Sequence, residues 1–278
     1  MTSHQLFEPP TPATRTLERG LRILDVLKDR GPSTLTEIAQ ALQLDKSTAH
    51  RLLRTMVNLL FVEREPEGTK YRLAVKLVEH GRRVIADMEL HRVALPHLHH
   101  LREAAGESAN LAVLHGGAIV WVATLEGRSP LRMTGPAGVG AGQLHSTASG
   151  KAILAFLPDG EVGRLLANSD LAPSTSTTIA TVEALREELR RTRDRGYALD
   201  DMENIPGLRC IAVPVFGPSD QVLGAISVSA PALRFTQEAI RQVLPVLIEV
   251  GLDVSRTMGA DERTLMALMN AASVELAG

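Results

Sequence analysis

The chain has 278 residues, 44% of them apolar, a formal net charge of −2 and a single cysteine, Cys210. That length and apolar content suffice for two domain cores, while one cysteine excludes a disulfide framework and a cysteine-rich zinc site and suits a reducing, cytoplasmic setting. No apolar run approaches membrane-spanning length, and the first residues, with Glu8, Pro9, Pro10 and Pro12 where an apolar signal core would lie, read as a disordered lead-in over 1–14.

From 16 to 30, Leu17, Leu21, Leu24 and Leu27 recur at helical spacing, and Gly31-Pro32 stops the helix. A short second helix opens with Thr34 as its N-cap and Glu37 completing a capping box, and Leu35, Ile38, Ala39 and Leu42 face inward. After a turn over 43–46, Ser47 is expected to cap a third helix that buries Ala49, Leu52, Leu53 and Met56. The alternating runs 61–64 and 71–73 flank Pro66-Glu67-Gly68-Thr69, the composition of a hairpin turn, and predict a wing. Val75, Leu77, Val78, Val84, Ile85 and Met88 predict a helix over 74–92, a second over 95–105 enters the next domain, and the boundary falls at 88–94.

Beyond that boundary, 110–114 and 118–125 are apolar runs joined at Gly116-Gly117, a hairpin signal. Further strands are predicted at 130–134, 209–216 and 222–229, with helices over 147–157, 161–166, 182–195 and 236–258. The result is an α+β chain whose larger domain is an antiparallel sheet flanked by helices. The expected domains are a winged helix-turn-helix at 15–74, a linker helix at 75–93, a sensor at 94–258 and a helical extension at 259–278.

A helix-turn-helix needs a small residue where its helices cross, a tight turn, and apolar residues inside the second helix. Ala39, the turn at 43–45, Ala49 and Leu52 supply these. The outward face of that second helix carries Lys46, Ser47, Thr48, His50, Arg51, Arg54 and Thr55, donors suited to base edges and phosphates. Its N-terminal residues would reach bases. Thr34 at the preceding helix start and Lys70 and Arg72 on the wing complete the expected contact set, whose electrostatic part weakens with salt. Charge distribution agrees: residues 1–85 carry 14 Lys and Arg against 10 Asp and Glu, and the remainder carries 16 against 22. The competing reading, a merely solvated helix face, accounts for each basic residue singly but not for the helix order, crossing alanine, capping box and basic wing together.

These residues resemble the IclR family of regulators, in which Leu35-Thr36-Glu37-Ile38-Ala39 followed by Asp45-Lys46-Ser47-Thr48-Ala49-His50-Arg51-Leu52-Leu53 is a familiar pairing. A second block, Leu144-His145-Ser146-Thr147-Ala148-Ser149-Gly150-Lys151-Ala152, and a third, Gly196, Asp200, Glu203, Cys210, Ile211, Ala212, Val215 and Phe216, match as well. The resemblance spans 15–256 and departs at Gln43 and Leu60, where the family usually has glycine, and at Gly217, where its signature has Asp or Asn. Gln43 is therefore expected to take a positive φ.

The resemblance implies a GAF-like fold for the larger domain and an effector pocket built from Leu131, Met133, Ala148, Ser149, Asp200, Cys210, Ser227 and Ser229. It also implies double-stranded operator DNA and a small-molecule effector as partners, assembly as a homodimer or homotetramer, and no cofactor. Backbone N–H groups near 148–150 can hold a carboxylate or carbonyl oxygen, and Ser227 and Ser229, two apart on one strand, share a face. A small organic acid or a similar oxygen-rich metabolite is the expected effector. Taken without the family, Cys210 reads more readily as a small buried hydrophobe than as a ligand contact, and Asp200 could be a loop or helix-capping residue.

Rival functions fare less well. Gly150-Lys151 lacks both the earlier glycine and the following Ser or Thr of a phosphate-binding loop, Gly138, Gly140 and Gly142 do not follow the dinucleotide fingerprint, and nothing supports a triad of Ser149, His145 and Asp200. The cluster His91, His97, His99 and His100 lacks a carboxylate or thiol of matching spacing, so no metal site is expected. Leu265, Leu268, Met269, Ala272 and Leu276 form an apolar stripe past the end of the family resemblance. It could bind a partner, pack on its own sensor domain, or support oligomerisation.

Overall fold

The computed structural model describes residues 12–66, 68–129, 141–167 and 169–277. The chain divides into two compact units, one ending at Asp87 and the other beginning at Met88. The expected strand at 130–134 and most of the expected lead-in lie outside the described residues.

The first unit opens with α1 (Pro12–Arg30), so 12–14 are helical rather than part of a disordered lead-in. Its buried stripe is Ile23 and Leu27, whereas Leu17 and Leu21 are 65% and 54% exposed. The leucine spacing continues past the point where the helix has anything to pack on. After β1 (Ser33–Thr34) come α2 (Leu35–Ala41), α3 (Lys46–Asn58), β2 (Val62–Arg64), β3 (Lys70–Leu73) and α4 (Lys76–Asp87). Two-residue β1 pairs with β3, so the expected hairpin is a three-stranded antiparallel sheet in the order β1-β3-β2. A strand that short carries no readable period.

Thr34 and Glu37 form both halves of the capping box on α2. The cap of α3 is Asp45 rather than Ser47: the Asp45 carboxylate accepts the Thr48 N–H at 2.7 Å and the Ser47 hydroxyl at 2.5 Å. A carboxylate at this end also meets the positive pole of the helix dipole, and these bonds hold its pKa well below the usual range. Both helices end in the same device. After α2, Gln43 at φ 53° lets Gln43 N–H bond the Gln40 carbonyl and Leu44 N–H bond that of Ala39; after α3, Leu60 at φ 62° does the same for Leu60 and Phe61 N–H with Val57 and Met56. These are Schellman motifs, whose left-handed residue is usually glycine.

In the second unit, α5 (Glu89–Ala105) runs through Pro96, so the helices expected over 74–92 and 95–105 instead meet at Met88. Strands β4 (Ser108–His115), β5 (Ala118–Leu125), β6 (Ala141–Gly142), β7 (Ala198–Asp201), β8 (Leu208–Phe216) and β9 (Val222–Pro231) form one antiparallel sheet in the order β6-β5-β4-β9-β8-β7. Helix α6 (Ala148–Phe156), with α7 (Asp159–Ala167) and α8 (Val182–Arg195), covers one face. The other face buries Leu111, Ile211, Val213, Ile226 and Val228 against α5 and α9 (Gln237–Thr257). Of the stripe on α10 (Glu262–Ala277), Leu265 and Leu268 are buried in the core of this same unit, whereas Met269 is exposed and the side chains of Ala272 and Leu276 lie outside those described. No described helix is long and apolar enough to cross a membrane.

Leu60 is 64% exposed and strained, so Leu60→Gly removes a left-handed penalty without losing a packed side chain. After the extra unfolded-chain entropy of glycine, the first unit should gain about 0.5–1 kcal/mol, read as a raised denaturant midpoint at unchanged slope.

Candidate functional site

In the first unit, Ala49, Leu52 and Leu53 seat α3 in the core with Ile38 and Ala39 of α2, and that seating turns Lys46, Ser47, His50, Arg51 and Arg54 to solvent with Thr48 half-buried. Among the described residues, Lys46, Arg51 and Arg54 have no carboxylate partner. Their charge is thus available to an outside polyanion. Ser47 and Thr34 are partly engaged, the first on Asp45 and the second on Glu37 at 2.8 Å. On the wing Lys70 is exposed, whereas Arg72 bonds the Glu63 carboxylate at 3.0 Å, so a phosphate must compete for it.

In the second unit the polar residues gather on the sheet face covered by α6. Strand register sets Asp200 opposite Cys210, Cys210 opposite Ser229, and Ser227 opposite Asn110. Side chains two apart on a strand share a face, so these five groups form a contiguous patch. Helix α6 begins over the same face with Thr147 as its cap, accepting the Gly150 N–H at 3.1 Å. A Cβ at Gly150 would collide with the Leu144 carbonyl oxygen, which explains the glycine. The N–H groups of Ala148 and Ser149 precede the first intrahelical bond, from Lys151 N–H to the Thr147 carbonyl, and are donors for an anion or carbonyl. Leu131 and Met133, named with this set, lie outside the described residues.

Three participants were not singled out from the sequence. Lys151 has no solvent exposure, and its ammonium lies 2.5 Å from the Glu203 carboxylate. Asn110 bonds the two serines. Lys151 was recognisable as a lysine inside the apolar run 148–155 of a helix, which must find a partner if buried; the partner, 52 residues on, was not. Asp200 is 1% exposed, and its carboxyl caps the turn that follows, accepting Glu203 N–H at 2.8 Å and Asn204 N–H at 3.3 Å. Burial outweighs those bonds and the nearby Lys151, pushing its pKa up to about 7. Burial likewise raises the Glu203 carboxyl and the Cys210 thiol, which stays protonated.

A cavity of about 640 Å³ lies elsewhere in the unit, between the β4–β5 turn at Gly117, the segment Gln143 to His145, and α7 at Glu161 and Arg164. None of the predicted effector residues within the described chain lines it. Burial lowers the pKa of His145, whose Nε2 has no partner among the described residues.

Residues 16–66 match the IclR helix-turn-helix domain, and residues 82–256 match the bacterial transcriptional regulator IclR C-terminal domain. The chain belongs to the IclR family. It is 34% identical over 250 residues to the HTH-type transcriptional regulator XynR of Escherichia coli K12, covering 89% of this chain and 98% of XynR. Among solved structures, IclR of Thermotoga maritima is 33% identical with a TM-score of 0.67, covering 88% of this chain and 99% of that one. An IclR homologue from Microbacterium hydrocarbonoxydans, complexed with 4-hydroxybenzoate, is 26% identical with a TM-score of 0.70, covering 87% and 98%. As an IclR-family protein the chain is a transcription regulator, with a helix-turn-helix DNA-binding domain and a C-terminal effector-binding domain; its relatives are regulators, not enzymes.

Because folded Asp200 keeps its proton up to about pH 7 while the unfolded carboxyl releases it near pH 4, unfolding releases a proton between those limits, and stability falls as pH rises through them. Asp200→Asn should flatten that fall in melting temperature between about pH 5 and about pH 7.5. Lys151→Met strands Glu203 and should cost about 3–5 kcal/mol in denaturant unfolding, most of which the double variant Lys151→Met, Glu203→Leu recovers.

Proposed function

We propose that α3 reads operator DNA through Lys46, Ser47, Thr48, His50, Arg51 and Arg54, with Thr34, Lys70 and Arg72 on flanking phosphates, and that a small organic acid bound in the second unit controls this reading. The donor-rich face of α3, on which Lys46, Arg51 and Arg54 have no carboxylate partner among the described residues, carries the first half. The second half rests on the patch of Ala148, Ser149, Asp200, Cys210, Ser227 and Ser229, to which Leu131 and Met133 are added from the resemblance, and on the 4-hydroxybenzoate bound by the Microbacterium homologue.

The working form is a homodimer, or a pair of dimers, in the cytoplasm where operator DNA lies. Helix α4 buries no residue within the described chain and exposes Val78 and Val84, and α1 exposes Leu17 and Leu21. A second copy is the natural cover for such apolar surface. Two-fold pairing matches the palindromic half-sites that helix-turn-helix proteins read. The effector acts by binding one sensor conformation more tightly, which shifts the spacing of paired recognition helices.

Gel-shift titration against the intergenic DNA upstream of its own gene, at low and high salt, tests the reading. Arg51→Ala should weaken specific binding by about 10- to 100-fold, and binding by the parent protein should fall as salt rises. Absence of specific binding by a folded dimer would point instead to a protein-interaction module.

A further inference from the structure

Asn110 on β4 is 7% exposed and stands directly across from Ser227 on β9, with Ser229 diagonal to it on the same face. Its Nδ2 donates to both serine oxygens, at 3.4 Å to Ser227 Oγ and 3.1 Å to Ser229 Oγ. An amide nitrogen has two hydrogens, and these two contacts take both. A hydroxyl that accepts in this way keeps its own hydrogen to give. For Ser227 no acceptor is present among the described residues. For Ser229, too, no hydrogen bond given to an oxygen or nitrogen acceptor is present among the described residues, and its cross-strand neighbour is Cys210, whose sulfur is a weak acceptor.

We infer that Asn110 is a positioning residue of the effector site: it turns Ser227 and Ser229 into paired hydrogen donors and thereby selects an effector with two acceptor oxygens on one carbon, a carboxylate. The inference rests on the proposed reading of this face as the effector site. Ala148 and Ser149 N–H supply further donors from α6. The opposing charges are muted, since Lys151 neutralises Glu203 and Asp200 titrates only near pH 7.

Isothermal titration of the full chain with carboxylates from acetate to 4-hydroxybenzoate, each beside its primary amide, tests the assignment in wild type, Asn110→Ala, Asn110→Asp and Ser227→Ala, with thermal melting to check folding. Wild type should prefer at least one carboxylate over its amide by about tenfold or more, as charge-assisted bonds do. Asn110→Ala should bring that ratio close to one, because the hydroxyls are no longer held. Asn110→Asp should abolish carboxylate binding, because the new carboxylate takes the serine hydrogens; if it does not fold, the alanine variant carries the test. A preference that survives both Asn110 variants but is lost in Ser227→Ala overturns the role of Asn110 and leaves the site reading standing. A carboxylate whose affinity is unchanged by Ser227→Ala overturns the site reading itself. Failure of every carboxylate to bind wild type at millimolar concentration overturns the effector class.

Discussion

Lys151 sits without solvent in the middle of α6, among Ala148, Ala152, Ile153, Leu154 and Ala155, all buried. A lone ammonium there would cost several kcal/mol; the Glu203 carboxylate at 2.5 Å makes it tolerable. The pair therefore clamps α6 to the turn after β7. That turn is capped by Asp200, which lies on the sheet in register with Cys210 and Ser229. One ion pair thus fixes where the free N–H groups of Ala148 and Ser149 stand over the polar rows of the sheet. An apolar pair of equal volume would serve stability as well, so what the charges contribute is placement.

The winged unit shows the opposite economy. Two consecutive helices close with the left-handed residue that glycine usually provides, and here the positions hold Gln43 and Leu60. Each stores a modest strain in a segment that flanks α3. The hydrogen bonds of the two motifs are intact all the same, so the register of α3 is unaffected. The departure from the family pattern changes stability and leaves geometry alone. At the other end of the chain Gly259, at φ 87°, terminates α9 without that cost.

Local chemistry was legible and distant chemistry was not. Helix α8 could be bounded to the residue because both ends are marked locally, by the Thr181 hydroxyl as cap and by left-handed Gly196 after Arg195. The exposed basic face of α3 followed from 3.6-residue spacing and charge, although Asp45 displaced Ser47 as its cap because a carboxylate can accept from both Ser47 and Thr48. Strand β7, four residues long, was missed, and Asp200 was left between a loop and a pocket role; it serves a turn and a sheet row at once. The pairs Lys151–Glu203 and Asn110–Ser227 join residues 52 and 117 apart. No periodicity links such partners: sheet register brings Asn110 to Ser227, and the packing of α6 on that sheet brings Lys151 to the turn that holds Glu203.

Helix α6, whose first turn stands over the polar rows of the sheet, ends at Phe156, whose ring meets Phe216 edge-to-face at 5.3 Å near α10. Nine residues of α-helix span about 13 Å and move as one body. A ligand that draws Ala148 and Ser149 towards the serines must therefore either leave α6 where it is or carry Phe156 with it. In the second case, binding energy spent at the N-terminal end would appear as repacking at Phe216 and α10, its size bounded by the difference in effector affinity between the two positions.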